Sequence, residues 1–117
     1  MIITKNRKRL VKTEVVASFV ENCYLGEFDF NEVFELASFI TGKDINMSNI
    51  YKYREIIMDK LKENYPDLVR HIYIANGDCA SKHIIDDYKN YYLETYGKYM
   101  LIKSIKKIPV KILSKND

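Results

Sequence analysis

The sequence predicts an α+β fold: three to four helices packed into one compact domain with a small C-terminal β-sheet. Three observations carry this. Apolar residues recur at helical spacing through the first two thirds of the chain; Gly and Pro punctuate those runs; and β-branched residues cluster after residue 98. With 117 residues, 47% apolar and 30% charged, the chain holds material for one core. A long coiled coil, a collagen-like fibre and a disordered chain are excluded on composition. No stretch approaches the ~18 uninterrupted apolar residues of a membrane span.

Thr13 is placed to cap a first helix, with Val15, Val16, Phe19, Val20 and Cys23 on one stripe and Gly26 as its end. Asp29 and Glu32 have capping-box spacing before a second helix whose stripe is Val33, Leu36, Ala37 and Ile40 and whose stop is Gly42. Ser48 opens a third helix, with Ile50, Tyr53, Ile57 and Leu61 inward and Pro66 beyond its end. His71–Ala75 reads as a strand or an irregular connector before the turn signal Asn76-Gly77. Ser81 caps a fourth helix, stopped by Gly97. Tyr99–Ile105 and Ile108–Leu113 are strand-like, with Pro109 keeping the second at an edge and Ile2-Ile3 available to join them. The expected core draws on Val16, Phe19, Val20, Leu36, Ile40, Ile50, Tyr53, Ile57, Leu61, Ile84 and Tyr88.

The net charge of +3 conceals a segregation. Residues 1–12 hold five basic and no acidic residues, and residues 98–117 hold six lysines against Asp117. The stretch between them has eight basic and fifteen acidic residues. Basic ends docked on one side of the domain would form a patch for phosphates. Solvated termini, or lysines guarding a sheet edge, are the plainer explanation. The aromatic residues are segregated too: all five Phe lie in 19–39 and nine of ten Tyr in 51–99.

Three groups suggest a ligand site. Tyr88, Tyr91, Tyr92 and Tyr96 form a band on the fourth helix too broad for one narrow stripe, so part packs inward while part can stack on a base. Lys103, Lys106, Lys107 and Arg7 supply the charge to neutralise an anion. Lys52 and Arg54, one turn inside the third helix, add an anion-attracting helix start, although ordinary capping there needs only Ser48.

Catalytic patterns are sparse. His71 and His83 lack metal-ligand spacing, and Cys79 with His83 has no orienting partner at a recognisable distance. Asp86 and Asp87 point about 100° apart on a helix and cannot face each other. No cofactor or metal is expected. Cys23 and Cys79 make no disulfide framework, and Met1–Lys5 lacks a signal-peptide pattern, so a cytosol with reduced thiols is expected.

Phe39-Ile40-Thr41-Gly42-Lys43-Asp44, a helix closing in Tyr65-Pro66-Asp67-Leu68, and Tyr96-Gly97-Lys98 before an extended tail form an ordered set. Across residues 13 to 112 that set resembles an uncharacterised family of small bacteriophage proteins. In that family a threonine-glycine turn leads through His-x-Leu-x-Arg into a helix closed by His-Pro-x-Leu. This chain carries Ser48 for the histidine, Ile50 for the leucine and Lys52 for the arginine, so no role of that histidine carries over. The resemblance implies a phage origin and a place in the host cytoplasm. The expected function is a non-enzymatic binder that acts in counter-defence inside the infected host. It would sequester a small anionic, nucleotide-type signal or inhibit a host defence protein. The alternative is a nucleic-acid-binding accessory protein using the basic termini. A homo-oligomer is expected from the surplus of apolar and tyrosine surface.

Overall fold

The computed structural model describes residues 8–71 and 82–105. Four helices and a two-stranded antiparallel sheet follow in the order β1 (Lys8–Lys12), α1 (Thr13–Glu21), α2 (Asn31–Thr41), α3 (Ile50–Asn64), α4 (Lys82–Tyr96) and β2 (Tyr99–Lys103). This is the α+β architecture that the periodicities predict.

The central element is α1. Eight of its nine residues are buried, from Thr13 through Glu21 with only Glu14 partly open. A helix this apolar on all sides must be covered all round. α2, α4 and the sheet supply that cover, and α3 packs on α2. Val16, Phe19, Val20, Leu36, Ile40, Tyr53, Ile57 and Leu61 lie in the core as expected. Three expected core residues do not: Ile50 and Tyr88 are only half-buried, and Ile84 is 42% exposed. The reason lies in the rotation of α4, which points Tyr92 fully inward with Ile85, Tyr88 and Tyr96 beside it and leaves Ile84 on the flank.

The helix ends differ in detail from the sequence signals. Lys12, not Thr13, occupies the cap position of α1. Thr13 begins the helix, and its hydroxyl donates to the Gly97 carbonyl at 2.6 Å while its N–H donates to the Lys98 carbonyl at 3.0 Å. Its hydrogen-bonding capacity thus ties the start of α1 to the α4–β2 turn. α1 ends at Asn22, in the left-handed region at φ 56°, four residues before Gly26. Asp29 accepts from the Asn31 N–H at 2.9 Å, but Glu32 turns to Lys12 at 3.8 Å, so the reciprocal half of the capping box is not made. Gly42 does close α2, at φ 72°. Asn49 rather than Ser48 sits at the cap of α3, and Ser48 donates to Asn46 Oδ1.

β2 pairs with β1, inside the N-terminal basic stretch. Lys8 is opposite Lys103, Leu10 opposite Leu101 and Lys12 opposite Tyr99. Met100 and Ile102 face the core, and the Ile105 N–H donates to the Ile40 carbonyl at 2.7 Å, anchoring the end of this ribbon to α2. The expected strands at Ile2-Ile3 and Ile108–Leu113, the reading of 72–75 and the cap at Ser81 lie outside the described residues. No helix among the described residues is long and apolar enough to cross a membrane.

Candidate functional site

At the end of α1 remote from the ribbon, three helices leave a hollow. Phe19 in the last turn of α1 and its cap residue Asn22, Phe30 just before α2 with Val33 and Phe34 inside it, Met47 in the turn before α3, and Ile50 and Tyr51 in its first turn line it. Its cavity is about 100 Å³.

Arg54 builds the floor. Its guanidinium donates from Nη1 to the Phe19 carbonyl and from Nη2 to the Val20 carbonyl, each at 2.8 Å. These are carbonyls of the final turn of α1, where the helix dipole is negative, and the Phe19 carbonyl also accepts the Asn22 N–H at 3.2 Å. The same group lies 5.0 Å over the Phe19 ring. Burial, and next the nearby Arg70 charge, hold Arg54 below its ordinary value. The anion site expected at Lys52 and Arg54 therefore does not assemble in that form: Arg54 is engaged with backbone carbonyls, and Lys52 is exposed on α3.

The rim is aromatic. Tyr24, Phe30 and Phe34 form a chain of edge-to-face contacts, at 5.6 Å and 5.7 Å between ring centroids. The Tyr24 hydroxyl donates to the Phe28 carbonyl and accepts from the Phe28 N–H, which fixes the loop between α1 and α2. Ser18 steadies the other end of that loop by accepting the Leu25 N–H at 2.8 Å. Met47 at 67% and Tyr51 at 63% exposure stand on the opposite lip. Large apolar side chains left open around a recess are a feature that burial alone would not select.

A second cluster lies on the other side of α1. Glu21 is fully buried, and both carboxylate oxygens accept hydrogen bonds. Oε1 accepts the His71 N–H at 2.6 Å; Oε2 accepts the Tyr92 hydroxyl at 2.6 Å and lies 2.9 Å from His71 Nδ1. Buried charge is tolerated only when compensated in this way. Burial first, and the bond to Glu21 second, push the Tyr92 phenol far above the usual tyrosine value. Tyr88 stacks on the His71 ring at 5.4 Å, and Tyr91 meets its edge at the same distance. Among the described residues no group of three His, Cys, Asp or Glu side chains is arranged to hold a metal ion.

The residues expected to share one ligand site are thus distributed over three places. The four tyrosines surround or adjoin the Glu21–His71 pair: Tyr92 is buried, Tyr88 half-buried, Tyr96 packed edge-on to Tyr65, and Tyr91 42% exposed. Tyr92 cannot stack on a ligand arriving from solvent. Lys103 lies on the ribbon, and Arg54 under the hollow. Arg7, Lys106 and Lys107 lie outside the described residues, as does Cys79. His83 faces Asp87 at 3.4 Å and Lys82 faces Asp86 at 3.2 Å, so the two adjacent aspartates do point apart. No family model, curated protein or solved structure matches this chain.

Proposed function

We propose that this chain is a non-enzymatic binding protein that docks on a partner protein, which inserts one large aliphatic or aromatic side chain into the hollow between α1, α2 and α3. The observation that carries the reading is the aromatic-rimmed recess, with Phe30, Met47 and Tyr51 left open at its mouth. Its size supports a side chain over a metabolite, because 100 Å³ is well below the ~300–1,000 Å³ of most small-molecule sites. Anchors of this kind, seated in an apolar pocket, carry much of the affinity of protein interfaces.

Sequestration of a small anion draws less support, since the tyrosine cluster is centred on the Glu21 carboxylate, which repels an anion. The resemblance to small phage proteins supports an infected bacterium as the setting, with a host defence protein as the partner.

Selection of a short random-peptide library on the immobilised chain tests the reading. Enriched peptides are expected to share one large apolar residue and to bind Met47→Glu at least about tenfold more weakly. Met47 is exposed, so this substitution leaves the core alone. Absence of enrichment, or peptides indifferent to Met47→Glu, would contradict it.

A further inference from the structure

The outer face of the ribbon carries two features that folding alone does not favour. Lys8 stands directly opposite Lys103, and like charges so placed are destabilising. Next along the ladder, Leu10 and Leu101 stand opposite each other, 65% and 39% exposed. Lys12 and exposed Tyr99 form the following pair. Residues at alternate positions face the other way: Met100 and Ile102 are buried, and Arg9 lies 4.7 Å over the Phe39 ring. Protection against edge-to-edge aggregation accounts for lysines but not for an open leucine pair between them. A polyanion with apolar groups inside its charged rails would satisfy both features.

We infer that this face binds double-stranded DNA by lying in the major groove. That groove, about 12 Å wide, admits a two-stranded ribbon with strands ~4.8 Å apart. Five residues per strand at ~3.4 Å extend about 17 Å, or roughly five base pairs. Lys8 and Lys103 reach phosphates at one end of the ribbon. Leu10 and Leu101 meet base edges, where thymine methyl groups offer apolar contact. Exposed Lys98, just before β2, adds a further phosphate contact. Lys12 contributes least, because Glu32 lies 3.8 Å from its Nζ.

Duplex RNA is a poor fit, since its deep, narrow major groove excludes a ribbon. The ribbon lies before the first turn of α1 and the hollow at its last, about 14 Å along the helix, so this inference stands or falls independently of the docking reading.

Fluorescence anisotropy of the full chain against matched DNA and RNA duplexes tests it, with vesicles containing phosphatidylglycerol as a second anionic surface. Affinity for DNA is expected to fall by about 40- to 150-fold between about 50 and 200 mM salt, as neutralising three or four phosphates requires. Lys8→Glu and Lys103→Glu are each expected to weaken binding at least about tenfold with unchanged circular dichroism, and Leu10→Ser to weaken it without altering the salt dependence. Met47→Glu should bind as the parent does. No complex at the lower salt, equal affinity for duplex RNA or for the vesicles, or charge-reversal variants that bind normally would overturn the inference.

Discussion

The Tyr92 hydroxyl donates to the Glu21 carboxylate at 2.6 Å, linking the middle of α4 to the last turn of α1 inside the protein. Removing the hydroxyl leaves the buried carboxylate with one donor fewer. Tyr92→Phe is therefore expected to destabilise the fold by about 1–3 kcal/mol in urea unfolding. Combined with Glu21→Gln, the two losses should be clearly non-additive, because both act on one bond.

Burial of the Tyr92 phenol, and next this bond, give stability a dependence on alkaline pH. Folding raises the Tyr92 phenol above its ordinary 10.0, so the native state keeps a proton that the unfolded chain releases. Its contribution is complete below about pH 10 and declines as pH rises beyond that. The stability gap between the parent and Tyr92→Phe should accordingly shrink from about pH 9 to pH 11, measured by urea midpoints at each pH.

Arg54 closes α1 with two parallel bonds that a lysine cannot reproduce. Arg54→Lys is expected to cost about 1–2 kcal/mol and Arg54→Ala about 2–3 kcal/mol, given charge-assisted bonds to carbonyls and lost packing on Phe19. Thermal and urea unfolding both report this. Equal stability of the parent and Arg54→Ala would show that the two bonds contribute nothing.

Repulsion between Lys8 and Lys103 predicts an inverse relation between stability and DNA affinity. Lys8→Glu should raise the unfolding midpoint slightly, by up to about 0.5 kcal/mol at low salt. The gain should fade as salt rises, because Lys8 is exposed and Lys103 partly so, which leaves the pair open to screening.

The helices were legible because each buries a stripe at helical spacing, and Gly42 and Pro66 end α2 and α3 where such residues should. β1 was not legible as a strand. Three of its five residues are basic, and only pairing with β2 makes it one. Gly26 misled as a helix stop because Asn22 takes the left-handed cap four residues earlier. Gly26 itself serves a close approach: at φ 136°, an added Cβ would lie 2.7 Å from the Glu14 carboxylate. The four tyrosines stood out by composition, yet what organises them is Glu21, fifty residues from His71 and seventy-one from Tyr92. The one local hint was an acidic residue four positions after Ala17 on the apolar face of α1. The hollow is not legible in the sequence because its walls come from three helices. Its lip residues Met47 and Tyr51 show only as apolar side chains four positions apart, off the buried stripe of α3.

The docking reading is tested most directly by methyl-detected NMR of the chain with a peptide carrying a single leucine or phenylalanine anchor obtained by selection. The account predicts the largest shifts at the Met47, Ile50 and Val33 methyl groups, and their disappearance in Met47→Glu. Shifts confined to Leu10 and Leu101, or no shifts at a saturating concentration, would contradict it.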